Sequence, residues 1–207
     1  MAWLRVLRYA AWGLVALLCL FAAAATTGWF VVDGPAARRA GETRAMPAIG
    51  GPFTMRDPSG AVVDLRALAG RPSLIFFGFT HCPDVCPTTL SDIAAWLAAL
   101  GPEGDRLQVF FVTVDPERDG PKELAAYAAM FDPRIRPLRG DARELAEMAA
   151  AWRVFYRRVP LTGGGYTMDH TATLYLVGRD GRFAGTIDPQ ESPEAALAKL
   201  RRLLAAS

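Results

Sequence analysis

Side chains that carry metal or redox chemistry are scarce in this sequence. Its 207 residues include three cysteines and two histidines, and there is no asparagine. So few cysteines exclude a disulfide-rich scaffold, while an apolar fraction of 52% with 21% charged residues excludes a disordered chain. A chain of this length can form one globular domain of about 150 to 170 residues with an appendage. Any site made of thiolates or imidazoles must use this short set of side chains.

A strong excess of charge is also missing. The formal net charge is +2. Both surplus cations, Arg5 and Arg8, precede residue 33, so the rest of the chain carries equal numbers of basic and acidic side chains. Proteins that bind nucleic acid normally present a strongly basic face. The balance therefore argues against a nucleic-acid partner.

Formal charges are absent from residues 9–32. As a helix, this run would be about 36 Å long at about 1.5 Å per residue, which is enough to cross the hydrocarbon core of a membrane. Arg5 and Arg8 before the run and Asp33 after it predict a cytoplasmic N-terminus and an exported body. The alternative is a cleaved signal peptide, with the small residues 22–25 as its cleavage region.

The chain therefore divides into four predicted parts. Residues 1–8 are the cytoplasmic N-terminus, residues 9–32 the transmembrane anchor, residues 33–47 a tether without apolar periodicity, and residues 48–207 the folded domain. The abundance of arginine and alanine and the lack of asparagine favour a bacterial inner membrane with a periplasmic domain. The mitochondrial inner membrane is the alternative.

Strand-like and helix-like segments alternate through the folded domain. Turn residues flanked by apolar residues predict hairpins over 53–63 and 171–187. Apolar runs and helical spacing predict strands at 73–79, 107–114 and 135–138, and helices at 90–100, 121–131, 141–152 and 193–204. Alternating strands and helices followed by a hairpin and a helix predict an α/β fold, with a central mixed sheet flanked by helices in a thioredoxin-like order.

Two of the cysteines, Cys82 and Cys86, lie between a predicted buried strand and a predicted helix. This is the carboxyl end of the sheet, where ligands collect in open α/β sheets. Pro87 is expected at the first helical position, so that Cys86 lies near the N-cap, where free N–H groups favour a thiolate. A structural disulfide here would close too small a loop to stabilise the fold much. The two roles that remain for Cys82 and Cys86 are redox chemistry and metal binding. Cys19, inside the apolar run, is expected to be a small lipid-facing or packing residue.

Of the two histidines, His170 is the better candidate for a site. It lies in the loop that enters the predicted strand at 171–177. In a thioredoxin-like layout, that loop faces the loop that carries the two cysteines. Thioredoxins usually have a proline there. Two thiolates and one imidazole suit copper, whereas structural zinc would require a fourth ligand. His81 is adjacent to Cys82, and its ring is expected to point elsewhere.

Three sequence blocks resemble the Sco/SenC family of membrane-anchored copper proteins. The blocks are FFGFTHCPDVCP at residues 76–87, VDPERD at residues 114–119 and YTMDH at residues 166–170. The similarity extends over roughly residues 48–190. It implies a thioredoxin-like fold with an inserted β-hairpin, and a copper site made by Cys82, Cys86 and His170.

The resemblance also implies a function. That function is delivery of copper, as Cu(I) or Cu(II), to the binuclear copper centre of cytochrome c oxidase, by a metallochaperone rather than an enzyme. The partners would be the copper-centre subunit and other periplasmic copper carriers or thiol reductants. The alternative is a thiol–disulfide oxidoreductase that uses Cys82 and Cys86 as its redox-active pair to reduce the cysteines of that centre. Such an exchanger has no need of His170.

Acidic residues near the predicted site have two interpretations. Asp115, Glu117 and Asp119 follow a predicted buried strand, so they line the site or dock a partner. The alternative is local, with Asp119 capping the next helix and Arg118 pairing with a neighbouring acid. Asp84, between the cysteines, is either a turn residue or tunes the metal through its negative charge.

Two further features stand out against the family pattern. Arg139 occupies a position where relatives usually have threonine. Because this position is outside the predicted metal site, the change is expected to alter a partner surface rather than metal binding. A run of three glycines at 163–165 precedes the histidine block. It predicts a mobile loop that brings His170 into place.

Overall fold

The structure, a computed structural model, describes residues 2–26 and 48–206. The chain divides into two compact units, Met1–Met46 and Pro47–Ser207. In the first unit, helix α1 comprises Ala2–Thr26. Within the described ranges, no helix is both long and apolar enough to cross a membrane. The predicted anchor at 9–32 continues into residues outside the described ranges, and the predicted tether at 33–47 lies entirely outside them, so both remain predictions.

Five strands of the second unit form a mixed central sheet. They are β3 (Ser73–Gly78), β4 (Gln108–Thr113), β5 (Ile135–Leu138), β8 (Leu174–Val177) and β9 (Phe183–Ile187). Their order across the sheet is β5-β4-β3-β8-β9. The first three strands run parallel to one another. The last two form an antiparallel pair, and β8 also lies antiparallel to β3. The predicted mixed sheet is therefore confirmed.

Helices connect these strands and cover the sheet. They are α2 (Val85–Leu100), α3 (Pro121–Ala129), α4 (Ala142–Trp152) and α5 (Pro193–Ala205), together with short 3₁₀ helices at Leu65–Leu68 and Gly101–Arg106. Every residue of β3 is buried, which explains its continuous apolar sequence, because a central strand with both faces covered has no solvent face to alternate with. The carboxyl ends of β3 and β4 thus emerge side by side from the core.

Two short hairpins lie outside the central sheet. The first pairs β1 (Thr54–Arg56) with β2 (Val62–Asp64), as predicted, and the Asp57 carboxylate accepts hydrogen bonds from the backbone amides of its turn. The second pairs β6 (Tyr156–Pro160) with β7 (Tyr166–His170). This is the inserted hairpin that the family resemblance implies.

The second hairpin corrects the prediction for residues 163–171. The three glycines form its turn, with φ of 91° at Gly164 and 75° at Gly165, values that L side chains rarely adopt. His170 is the last residue of β7 rather than part of a loop, and β8 begins at Leu174 rather than at Thr171. The strand predicted at 171–177 is therefore confirmed as β8, but its start was placed three residues too early, and the extended segment at 166–170 belongs to a separate hairpin.

Candidate metal centre

The two cysteines lie at the carboxyl end of β3 and in the first turn of α2. The helix begins at Val85, with Asp84 as its N-cap. Cys86 is therefore already helical, and the prediction that Pro87 starts the helix was wrong. The backbone amide of Cys86, free in the first turn, donates to the sulfur of Cys82 at 3.4 Å. The free N–H groups of the helix thus act on Cys82 rather than on Cys86.

A glycine makes room for the buried sulfur of Cys86. The Cys86 side chain is fully buried, whereas Cys82 is half-buried. A Cβ atom on Gly78, the last residue of β3, would lie 2.9 Å from the Cys86 sulfur and 2.9 Å from the Phe111 ring. Only a residue without a side chain lets the sulfur pack over the end of this strand.

His170 approaches the cysteines from the hairpin. Its Nε2 lies 3.5 Å from the Cys86 sulfur, and its Nδ1 lies 3.0 Å from the carbonyl oxygen of Thr171. A carbonyl can only accept, so Nδ1 carries the proton and Nε2 of the neutral ring has a free lone pair. The rings of Phe76 and Phe79 pack edge-on against the imidazole, at centroid distances of 6.5 and 5.8 Å. These contacts hold Nε2 towards the sulfurs.

Three donor atoms therefore converge at one place. The sulfurs of Cys82 and Cys86 and a ring nitrogen of His170 all lie within 4.8 Å of one another. In the described part of the chain, no other group of three or more histidine, cysteine, aspartate or glutamate side chains is placed to hold a metal ion. Two sulfurs and one imidazole are soft donors that suit copper. The structure brings together all three predicted ligands, and the set fits the predicted metal.

The two thiols differ in acidity. A hydrogen bond from the Cys86 side chain lowers the pKa of Cys82 to about 4, and hydrogen bonds from the backbone amides of Cys86 and Asp84 act in the same direction. The pKa of Cys86 is raised, first by the same interaction with Cys82 and then by its burial. Cys82 is therefore a thiolate at neutral pH in the reduced, metal-free protein. Because thiolates rather than thiols ligate metals, metal binding must displace the proton of Cys86.

The other predicted polar residues near the cysteines lie outside this cluster. The Nδ1 atom of His81 lies 3.0 Å from the Thr80 hydroxyl and 3.6 Å from Asp119, and its side chain is 53% exposed. This confirms that its ring points elsewhere. Asp84 is exposed and makes no capping hydrogen bond. It lines a cavity of about 210 Å³ together with Cys82 and His170.

The helix-capping alternative for Asp119 was wrong, because Gly120 holds the N-cap position of α3. The carboxylate of Asp119 is fully buried. It accepts hydrogen bonds from the backbone amide and hydroxyl of Thr80 at 3.1 and 2.5 Å, and from the Thr113 hydroxyl at 2.5 Å. Asp119 thus ties the loop that precedes Cys82 to the end of β4. The two threonines are positioning residues that sequence analysis missed, because single hydroxyls carry no recognisable pattern.

The other two acids of this block form ion pairs. Asp115 is buried and pairs with Arg118, whose Nε lies 2.5 Å from its carboxylate, as predicted. Glu117 is exposed and pairs with Arg158 of β6 at 2.5 Å. None of the three acids belongs to the group of metal donors. Their contacts are with the hairpin and with the loops around the cysteines.

Comparison with known proteins places this arrangement in a family. The fold is thioredoxin-like, with a mixed central sheet flanked by helices. Residues 41–205 match the SCO1/SenC family model, and the chain belongs to the SCO1/SenC family. It is 37% identical over 137 residues to a SCO2-like protein of Rickettsia prowazekii, covering 65% of this chain and 67% of that protein. It is 36% identical over 144 residues to the mitochondrial protein SCO1 of Saccharomyces cerevisiae, covering 68% of this chain but only 49% of the yeast protein.

Solved structures agree with this assignment. Bradyrhizobium japonicum ScoI with copper bound is 47% identical, with a TM-score of 0.70, and the match covers 75% of this chain and 99% of that one. Yeast Sco1 with copper bound is 32% identical, with a TM-score of 0.72, covering 78% and 91%. BsSco, a member of the Sco family of cytochrome c oxidase assembly proteins, is 25% identical with a TM-score of 0.61, covering 78% and 96%.

Proposed function

We propose that this protein binds one copper ion through Cys82, Cys86 and His170 and delivers it to the binuclear copper centre of cytochrome c oxidase. The observation that carries the proposal is the convergence of the three donor atoms within 4.8 Å of one another. The ScoI and Sco1 structures with copper bound support it, as does the membership of BsSco in a family of cytochrome c oxidase assembly proteins. Copper is here the cargo of the protein.

The burial of the ligands indicates how the ion could leave. Cys86 is fully buried, whereas Cys82 and His170 are both partly exposed beside the 210 Å³ cavity. An acceptor ligand can therefore reach Cys82 and His170 before Cys86. We infer that release proceeds by stepwise ligand exchange, with the two accessible ligands replaced first and Cys86 last.

We also propose that the domain works at a membrane surface outside the cytoplasm. The uncharged run at 9–32 and the arginines before it support a single-pass anchor in the bacterial inner membrane. Under this proposal, residues 1–8 are cytoplasmic, residues 33–47 are the tether and residues 48–207 are the periplasmic copper-binding domain. The copper-centre subunit of the oxidase would then be reached from the same side of the membrane.

A transfer experiment tests delivery against the thiol reductase alternative. The protein loaded with Cu(I) is mixed with the reduced, metal-free copper-centre domain of an oxidase, and the copper content of each is measured after separation. We expect the copper to move to the acceptor. A parallel sample contains metal-free, reduced protein and an acceptor whose cysteines form a disulfide. Rapid reduction of that disulfide, without copper transfer in the first sample, would contradict the proposal and favour the reductase.

A further inference from the structure

The hairpin that carries His170 is separate from the central sheet. Within the described residues, β6 and β7 pair with each other and with no other strand. His170 is the last residue of β7 and Tyr166 is the first, about 13 Å away at about 3.3 Å per residue. At the His170 end, the chain continues towards β8. Tyr156 and Met168 of the hairpin pack against the hydrophobic core. The direction of the hairpin, and with it the position of the imidazole, depends in addition on what holds its Tyr166 end.

The Tyr166 end is held by Arg118 and Asp115, which follow β4. Arg118 donates from Nη1 to the backbone carbonyl of Tyr166 at 2.9 Å and from Nε to the Asp115 carboxylate at 2.5 Å. The Tyr166 hydroxyl donates to the same carboxylate at 2.9 Å. The guanidinium carbon of Arg118 also lies 3.8 Å from the centre of the Tyr166 ring. We name this group of Asp115, Arg118 and Tyr166 the hairpin latch.

Arg118 also connects the latch to the surroundings of the imidazole. Its guanidinium carbon lies 5.9 Å from the centre of the Phe79 ring, and that ring packs edge-on against His170 at 5.8 Å. A single side chain thus contacts the start of β7 and the aromatic ring beside the metal ligand. The planar guanidinium can donate in two directions and stack at the same time, whereas a lysine cannot.

Two outer contacts support the latch. Arg158 of β6 lies 4.0 Å from the centre of the Tyr166 ring and pairs with Glu117. Arg139 donates from Nε and Nη2 to the carbonyl oxygen of Pro116, at 3.2 and 2.9 Å. Arg139, which was expected to affect a partner surface, thus braces the 115–118 loop from the end of β5 and supports the latch.

We propose that Arg118 is a positioning residue that holds the hairpin against the domain and thereby sets His170 opposite Cys82 and Cys86. The inference rests on the proposed copper site and adds a group that controls one of its ligands from the far end of a strand. Opening the latch frees the Tyr166 end of the hairpin and lets the imidazole withdraw. Asp115 and Tyr166 act through the same contacts.

A double-mutant cycle on the full-length protein tests this role. The affinity for Cu(I) is measured by competition with a chromogenic chelator for the wild type, Arg118→Lys, His170→Ala and the double variant. We expect Arg118→Lys to weaken Cu(I) binding about tenfold, in the range seen when the partner of a ligand is removed. In the His170→Ala background, the same substitution should have no further effect. Arg157→Lys is the matched control. Arg157 lies on the same hairpin, but its ion pair is with the exposed Asp169 and not with a residue of the latch.

Other outcomes separate the possible failures. An equal loss of affinity in the His170→Ala background would show that Arg118 does not act through His170, and an unchanged affinity of Arg118→Lys would also overturn the proposal. If Arg118→Lys does not fold, Tyr166→Phe removes one hydrogen bond and keeps the ring. It should weaken binding about three- to fivefold, again only when His170 is present, and no change would overturn the proposal.

Hydrogen exchange of the copper-free protein provides a readout that does not depend on copper. We expect the backbone amides of β7 to exchange faster in Arg118→Lys than in the wild type or Arg157→Lys, because a two-stranded hairpin that has lost contacts with the domain is only marginally stable and its β6–β7 hydrogen bonds open more often. Unchanged exchange would contradict the latch. If the wild type binds no Cu(I), the proposed function fails, and the exchange data decide the role of the latch alone.

Discussion

Replacing Cys86 by serine should weaken Cu(I) binding more than about a hundredfold, since even the removal of an outer partner of a metal ligand costs about 10- to 100-fold. Serine has nearly the size of cysteine, so the space left by Gly78 stays filled. The hydroxyl does not ionise at neutral pH and is a hard donor, whereas Cu(I) prefers thiolates. Cys86 is also the ligand that water reaches least, because it is fully buried.

The third cysteine provides the control for this prediction. Cys19 lies in α1 and does not belong to the group of metal donors. The same substitution, Cys19→Ser, should leave the affinity of the full-length protein for Cu(I) unchanged. Both variants are compared in the chelator competition, and thermal unfolding checks that each is folded. A Cys86→Ser variant that is folded and binds Cu(I) like the wild type would remove Cys86 from the site.

Replacing His170 by alanine should weaken Cu(I) binding by about 10- to 100-fold. The effect is smaller than for Cys86 because two thiolates remain, and thiolates are the preferred donors of Cu(I). The structural reason for a clear effect is the fixed tautomer. Because Nδ1 donates its proton to the Thr171 carbonyl, Nε2 keeps a free lone pair that can bind the metal, and it lies 3.5 Å from the Cys86 sulfur.

The chain contains a matched control for this substitution as well. His81 is next to Cys82 in the sequence, but its side chain is 53% exposed and contacts Thr80. His81→Ala should leave Cu(I) binding within about twofold of the wild type, since surface substitutions away from a site have small effects. Equal losses from both substitutions would mean that neither imidazole is specific. If only His81→Ala weakened binding, the ligand would be His81 and the assignment of His170 would be wrong.

The buried parts of the fold were predictable from local sequence. The apolar runs at 73–79 and 107–114 match β3 and β4 to within one residue at each end. A central strand is buried on both faces, and its composition therefore reports its position directly. The hairpin at 53–63 was predictable for a different reason, because an aspartate and a glycine specify its turn.

The hairpin of β6 and β7 was not predictable in this way. Its first strand contains Arg157 and Arg158 and ends in Pro160, and most of its residues are exposed. A strand that buries no face shows no alternation of apolar and polar residues, so nothing in the sequence of 156–160 marks it. The resemblance implied such a hairpin without locating it.

The metal donors were predictable from the sequence, whereas the residues that position them were not. Cysteines and histidines are so few that their positions alone led to Cys82, Cys86 and His170. The contacts that position them join residues far apart in the chain, such as Arg118 with Tyr166 and Asp119 with Thr80. Each of these residue types is common and has several local roles. A helix cap was therefore one predicted role of Asp119, and only the fold shows that Asp119 ties two loops together.

The central claim is that Cys82, Cys86 and His170 form one copper site, and a titration tests it most directly. The reduced wild-type protein is titrated with Cu(I) against a chromogenic chelator, and the bound copper is counted per chain. We expect one tightly held ion per chain, with an affinity that falls about 10- to 100-fold in His170→Ala and more than about a hundredfold in Cys86→Ser. A wild-type protein that cannot compete with the chelator, or whose bound ion is insensitive to both substitutions, would contradict this claim.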